Sequence, residues 1–135
     1  MDLKTSLGIS ASGLRAQSLR MRVIAENLAN QDSVSDTPGG NPYRRRVASF
    51  AAEVDRSTGG TGVKVKSIED DKSDFLKVYQ PGHPAADKDG YVLKPNVNGL
   101  IETADMKAAQ RSYEANLNAI EAAKSLTMRT IDLLK

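Results

Sequence analysis

Apolar residues repeat every seven positions at both ends of this chain and lose that period in between. Leu7, Leu14, Met21 and Leu28 form one stripe; Met106, Tyr113, Ile120 and Leu134 form another, broken only at Thr127. A step of seven keeps side chains on one face of a helix. All five prolines fall between the stripes, where the missing N–H and fixed φ work against long helices. The pattern predicts a helix over 1–30, a loop- and strand-rich middle over 31–102 and a second helix over 103–135.

The N-terminal stripe is joined by Leu3, Ala11, Ser18 and Ile24-Ala25, a second line of mostly small residues that permits close helix approach. Gly8 and Gly13 each lower helicity by about 1 kcal/mol relative to Ala. Gly13 is either a tolerated defect or the point where another backbone comes close. The C-terminal seam runs Met106, Gln110, Tyr113, Leu117, Ile120, Lys124, Thr127, Ile131 and Leu134. Thr103 is the candidate N-cap, with Asp105 placed to favour the helix dipole. At 1.5 Å per residue the helices span about 42 and 48 Å. Such matched lengths suit side-by-side pairing as a coiled coil. The expected fold is α+β: paired terminal helices and a small β-hairpin or loop-rich middle.

In the middle, Gln31 to Pro42 is almost entirely turn and breaker residues and reads as a loop. Tyr43–Val54, Gly62–Ile68, Phe75–Tyr79 and Tyr91–Leu93 read as short strands. Gly59–Gly62, Pro81–Pro84 and Asp87–Gly90 are the turns. A compact sheet and an extended hairpin are both compatible with this spacing.

Aromatics are only 4% of the chain and Trp is absent, so little is available for an independent core. Long narrow stripes then need partners, which points to assembly rather than catalysis. A leucine stripe is more often plain core, but Gln17, Gln110 and Lys124 beside the seams suit a partly wetted helix contact better than a sealed interior. With no cysteine, disulfides, thiolate metal sites and Cys nucleophiles are excluded. The longest apolar run, such as Phe50-Ala51-Ala52, is too short for a membrane span or a signal-peptide centre. The single histidine, His83, sits in Gly-His-Pro with no orienting partner at any recognisable spacing, so a turn role outweighs catalysis. Asp87–Gly90 lacks the further ligands of a calcium loop. Arg44-Arg45-Arg46 stands alone, and at a net charge of +2 it reads as a solvated strand start or interface edge rather than a nucleic-acid site. No cofactor or metal is expected.

Several segments resemble the bacterial flagellar basal-body rod family. Ser12-Gly13-Leu14, Gln17, Met21, Ile24-Ala25 and Asn27-Leu28-Ala29-Asn30 are similar to its shared N-terminal signature. Gly39–Arg45, Gly82-His83-Pro84-Ala85, Gly90-Tyr91-Val92, Pro95-Asn96-Val97 and Arg111–Asn116 resemble the proximal-rod subtype. Gln31–Thr37 departs from it, where many members have a shorter run. The resemblance implies a structural subunit of the drive shaft that leaves through the flagellar type III export apparatus. It also implies assembly in the periplasm with itself and other rod proteins, meeting the rod adaptor and export gate at the membrane ring. On that reading Leu3, Leu7, Leu14, Met21, Ile24, Leu28, Met106, Tyr113, Leu117, Ile120, Ile131 and Leu134 are the subunit-packing residues. Neither nucleic-acid binding nor membrane insertion is expected. A soluble coiled-coil interaction module or secretion adaptor is the alternative.

Overall fold

In the computed structural model, which describes residues 2–135, six elements follow one another. They are α1 (Leu3–Ala29), β1 (Arg46–Val54), β2 (Thr61–Asp70), β3 (Leu76–Tyr79), β4 (Tyr91–Lys94) and α2 (Gly99–Leu133). The fold is therefore α+β, with helices at both ends. The middle resolves into two separate two-stranded sheets, β1-β2 and β3-β4.

Local chemistry sets the helix ends. Asp2 Oδ1 accepts the Thr5 amide at 2.7 Å, satisfying one orphan donor of the first turn. Bonds from the Thr5 side chain and amide hold the Asp2 carboxyl below its usual pKa. At the other end of α1, Asn30 Nδ2 donates to the Glu26 carbonyl at 2.8 Å. Helix α2 starts at Gly99, earlier than the sequence predicts. Its N-cap is Asn98, whose Oδ1 accepts from the amides of Leu100 (3.0 Å) and Ile101 (3.4 Å). Thr103, the expected cap, already lies inside the helix and bonds back to the Gly99 carbonyl at 2.7 Å.

The chain divides into two compact units. The first comprises the chain through Met21, Ala48–Ser67 and Lys107–Lys135. Here the β1-β2 ribbon closes onto α1. Ser12 Oγ donates to the Ile9 carbonyl (2.6 Å) and accepts the Val63 amide (3.1 Å). Gly60 and Gly62 permit this approach: a Cβ on either would come within 2.5 Å of Thr5 Cγ2 or Ser12 Oγ. The residues buried in this unit are small or polar, namely Thr5, Ser12, Ala16 and Ala109. Tight approach substitutes for large side chains.

Gly13 shows the same economy. A Cβ there would meet Asn116 side-chain atoms at 2.6–2.8 Å, and Asn116 is held by its Nδ2 bond to the Ser112 carbonyl at 2.9 Å. The approach at Gly13 is therefore close, but it is made by the Asn116 side chain and not by another backbone. Gly13→Ala should be destabilising even though Ala favours helix by about 1 kcal/mol. Adding Asn116→Ala should restore or exceed parental stability. Equal thermal midpoints for Gly13→Ala in the presence and absence of Asn116 would count against the contact.

The second unit comprises Arg22–Val47 and Ile68–Met106. β3 and β4 pair antiparallel, Leu76 opposite Lys94 through Tyr79 opposite Tyr91. Tyr79 and Tyr91 meet edge-to-face, centroids 5.4 Å apart. The connection turns at Gly90, with φ +87; Asp87 Oδ1 caps it by accepting from the amides of Asp89 and Tyr91, both at 2.9 Å. His83 has the turn role its sequence context suggests, its Nδ1 accepting the Ala85 amide at 3.0 Å. Ala85, Val92, Val23 and Ile24 form the small apolar centre. The breaker-rich loop after α1 is tied down by Tyr43 N–H to Ser33 O (2.9 Å) and Gly39 N–H to Ala85 O (3.1 Å).

Candidate functional site

Two features stand out, one in each unit. In the second unit, the two largest fully buried polar side chains are Asn27, 1% exposed, and Glu102, 0% exposed. Asn27 uses its full bonding capacity. Its Nδ2 donates to the Arg46 carbonyl (2.8 Å) and to Glu102 Oε2 (3.2 Å). Its Oδ1 accepts from the Tyr43 hydroxyl (2.8 Å) and the Arg46 amide (3.0 Å). Burial, then the nearby Glu26 carboxylate, raises the Tyr43 pKa, which keeps the phenol a neutral donor.

The other Glu102 oxygen takes the Arg45 Nε–H in an ion pair. Arg45 extends the cluster to Asp71 (3.1 Å) and Asp105 (3.6 Å). Burial works to lower the Arg45 pKa, but its bonds to Glu102 and Asp71 more than offset this and leave it raised. The Asp71 carboxyl lies below its usual value, chiefly through the Ser73 amide and hydroxyl, then Arg45. Asn96 completes the arrangement: its Oδ1 accepts the Arg45 amide at 2.7 Å, and its Nδ2 donates to the carbonyls of Asp71 (3.0 Å) and Ser73 (3.2 Å). This clasp joins the end of α1, residues 43–46, residues 71–73 and the first turn of α2.

The clasp corrects the reading of the arginine run. Arg45 is committed to three carboxylates, and Arg44 stacks 4.1 Å over the Phe75 ring while Nη1 donates to the carbonyls of Asp71 and Ser73. Only Arg46 keeps a half-open side chain, 3.9 Å from Glu26. Guanidinium groups already paired and stacked make a poor polyanion surface.

The second feature lies in the first unit, on α2. Beyond Asn116 the helix leaves large apolar side chains open: Leu117 39%, Leu126 56%, Met128 54%, Ile131 46%, Leu133 86% and Leu134 82% exposed. Leu117, Met128, Ile131 and Leu134 share the face that carries the half-buried Tyr113 and Ile120 at helical spacing. These side chains form one uncovered apolar stripe along the helix.

The packing residues expected from the stripes fall into three groups. Ile24 is buried; Leu7, Leu14, Met21, Leu28, Met106, Tyr113 and Ile120 are half-buried; Leu3, Leu117, Ile131 and Leu134 are exposed. The fully buried line on α1 is a different one, Thr5, Ser12, Ala16, Val23 and Asn27, again at steps of seven and four. The leucine stripe lies beside it. Among the residues singled out by motif, Ser12, Gly13, Asn27 and Gly90 are buried, whereas Asn30, His83 and Asn116 are half-buried and Pro84 and Tyr91 are exposed. Gln17 is half-buried, and among the described residues its Oε1 is the buried side-chain atom without a bonding partner.

Glu102, Arg45 and Tyr43 were not distinguished as a cluster by sequence reasoning. The available signal for Glu102 was its place four residues before Met106, an acid on the backward extension of an apolar seam. No helix among the described residues is long and apolar enough to cross a membrane, and no cluster there suits a metal ion.

Residues 88–133 match the family described as flagellar basal body rod FlgEFG protein C-terminal. Along nearly the whole chain there is similarity to proteins named flagellar basal-body rod protein FlgC. The one from Agrobacterium fabrum is 50% identical over 98% of this chain and 96% of its own length. Those from Bacillus subtilis and Salmonella typhimurium are each 40% identical, over 96% and 98% of this chain and 97% and 98% of theirs.

Proposed function

The chain belongs to the flagellar basal-body rod protein FlgC family, a structural rod subunit and not an enzyme, and we propose that it is built into the proximal rod through paired terminal helices whose open apolar face neighbouring subunits cover. The observation that carries this is the uncovered stripe Leu117, Met128, Ile131 and Leu134 on α2. Fully burying one such side chain is worth about 1.5–3 kcal/mol. Several together are enough to drive association between subunits.

Helix pairing is supported by contacts within each unit. In the second unit Asn27 meets Glu102, and a Cβ on Gly99 would lie 2.8 Å from Gln31 Oε1. One helix position rises as its partner falls, which is the antiparallel sense. In the first unit Gly13 meets Asn116. The half-buried Leu7, Leu14, Met21 and Leu28 flank this seam, suited to complete their burial against a neighbour.

On this reading the subunit leaves through the flagellar type III export apparatus and assembles across the periplasm with itself and other rod proteins. It meets the rod adaptor and export gate at the membrane ring. The free subunit keeps loosely ordered helix ends until assembly covers them. The test is complementation of a strain lacking its own proximal-rod subunit, followed by mass spectrometry of purified basal bodies. Swimming, with this chain present in the basal-body fraction, is expected. A soluble, discrete oligomer absent from that fraction would overturn the reading in favour of a secretion adaptor.

A further inference from the structure

We propose that the buried polar pair Asn27 and Glu102, with Arg45, is a register lock that selects one alignment of α1 against α2. The proposal rests on the antiparallel helix pairing proposed above. Apolar stripes that repeat every seven residues are degenerate. Sliding one helix by a heptad sets leucine-type residues against leucine-type residues again, so Leu7, Leu14, Met21 and Leu28 discriminate poorly between alignments. The stripe contacts are also only half-buried, which weakens their vote further.

The polar pair has no such degeneracy. In the observed alignment Asn27 and Glu102 are 1% and 0% exposed and bonded to each other and to Arg45, Arg46 and Tyr43. After a slip of one heptad, Asn27 would face Ala109, which is itself fully buried and offers no side-chain hydrogen bond. The opposite slip would move Asn27 past the start of α2. Either slip breaks the Asn27–Glu102 bond and undocks Arg45, and the first leaves the Asn27 amide against an apolar methyl, a costly outcome for a polar group. A buried polar residue that fixes helix register at some expense in stability is well attested in coiled coils. Arg45 adds the loop: because it also binds Asp71 and Asp105, residues 43–46 dock only when the helices are aligned.

The chain has no native cysteine, so engineered pairs report alignment cleanly. Gln31→Cys/Gly99→Cys samples the observed register, and Gln31→Cys/Met106→Cys samples a slip of one heptad. In the full-length parent, oxidation should bridge the first pair and leave the second largely unbridged. In the Asn27→Leu/Glu102→Leu background the helical signal should persist, while the slipped bridge rises by at least about tenfold, the ratio carried by one lost buried hydrogen bond. A folded Leu/Leu variant that forms only the native bridge would overturn the lock while leaving the helix pairing intact. Failure of the first pair to bridge in the parent would instead remove the pairing, and the lock with it. Should the Leu/Leu variant not fold, Glu102→Leu alone carries the test, since it removes the Asn27 contact across the helices while Asn27 keeps its bonds to Tyr43 and Arg46. A tenfold rise in the slipped bridge supports the lock; an unchanged level overturns it.

Discussion

Ile131→Asp combined with Leu134→Asp is expected to abolish swimming while leaving export and the fold of the free subunit unchanged. Both side chains are largely open, at 46% and 82%. A charge at such a surface position usually alters stability by less than about 0.5 kcal/mol. In an assembled rod the same positions would be covered, and each Asp would replace burial worth about 1.5–3 kcal/mol with an unpaired carboxylate. The effect should therefore appear in incorporation and not in folding. Leu14→Asp and Ile120→Asp make an informative contrast. Both positions are half-buried in the single chain, so these variants should lose motility and also lower the thermal midpoint. Soft-agar swimming, basal-body content and secreted subunit levels separate the cases. Normal swimming by the Ile131→Asp/Leu134→Asp variant would remove α2 from the assembly surface.

Glu102→Ala should be the most damaging single truncation in the second unit. Removing one partner of a buried ion pair costs about 3–5 kcal/mol. The lower end applies here, because Arg45 retains Asp71 and Asp105 and is itself 22% exposed. Even about 3 kcal/mol is a large share of the roughly 5–15 kcal/mol that holds a typical domain together. The alanine also leaves Asn27 Nδ2 without one of its two acceptors. Glu102→Gln keeps that acceptor and should cost less, about 1–2 kcal/mol. Urea unfolding measures both. A loss below about 1 kcal/mol for Glu102→Ala would mean the clasp contributes little to holding the unit together.

The two features were unequally legible beforehand. The apolar stripe of α2 was readable because it depends only on local spacing, whereas the exposure of Leu117, Ile131 and Leu134 along it came from the structure. The clasp was not, because its members come from five separate stretches of chain. Asn27 was visible only as part of a motif. Arg45 looked like one charge in a basic run, and Glu102 lay just outside the predicted helix over 103–135. Hydrogen-bond complementarity among distant residues leaves no periodic trace. Thr103 misled for a related reason: Thr at a helix start favours a cap, but Asn, at least as good a cap, stands at 98, one residue before Gly99, and its Oδ1 takes the amides of Leu100 and Ile101.

The sequence by itself determined the two terminal helices, the breaker-rich connections, the short strands and the family, since each rests on local periodicity, turn chemistry or ordered motifs. Tertiary structure alone decided which helix face is buried. Thr5, Ser12, Ala16, Val23 and Asn27 go inside although the leucines beside them are more hydrophobic. The reason is geometric. With few large aromatics to fill space, burial comes from side chains packed directly on the glycine backbone, Asn116 on Gly13, Thr5 on Gly60 and Ser12 on Gly62, and only small or fully bonded polar side chains fit there. The larger apolar residues are left at the margins and on the open face of α2, where a neighbouring subunit is needed to finish the packing.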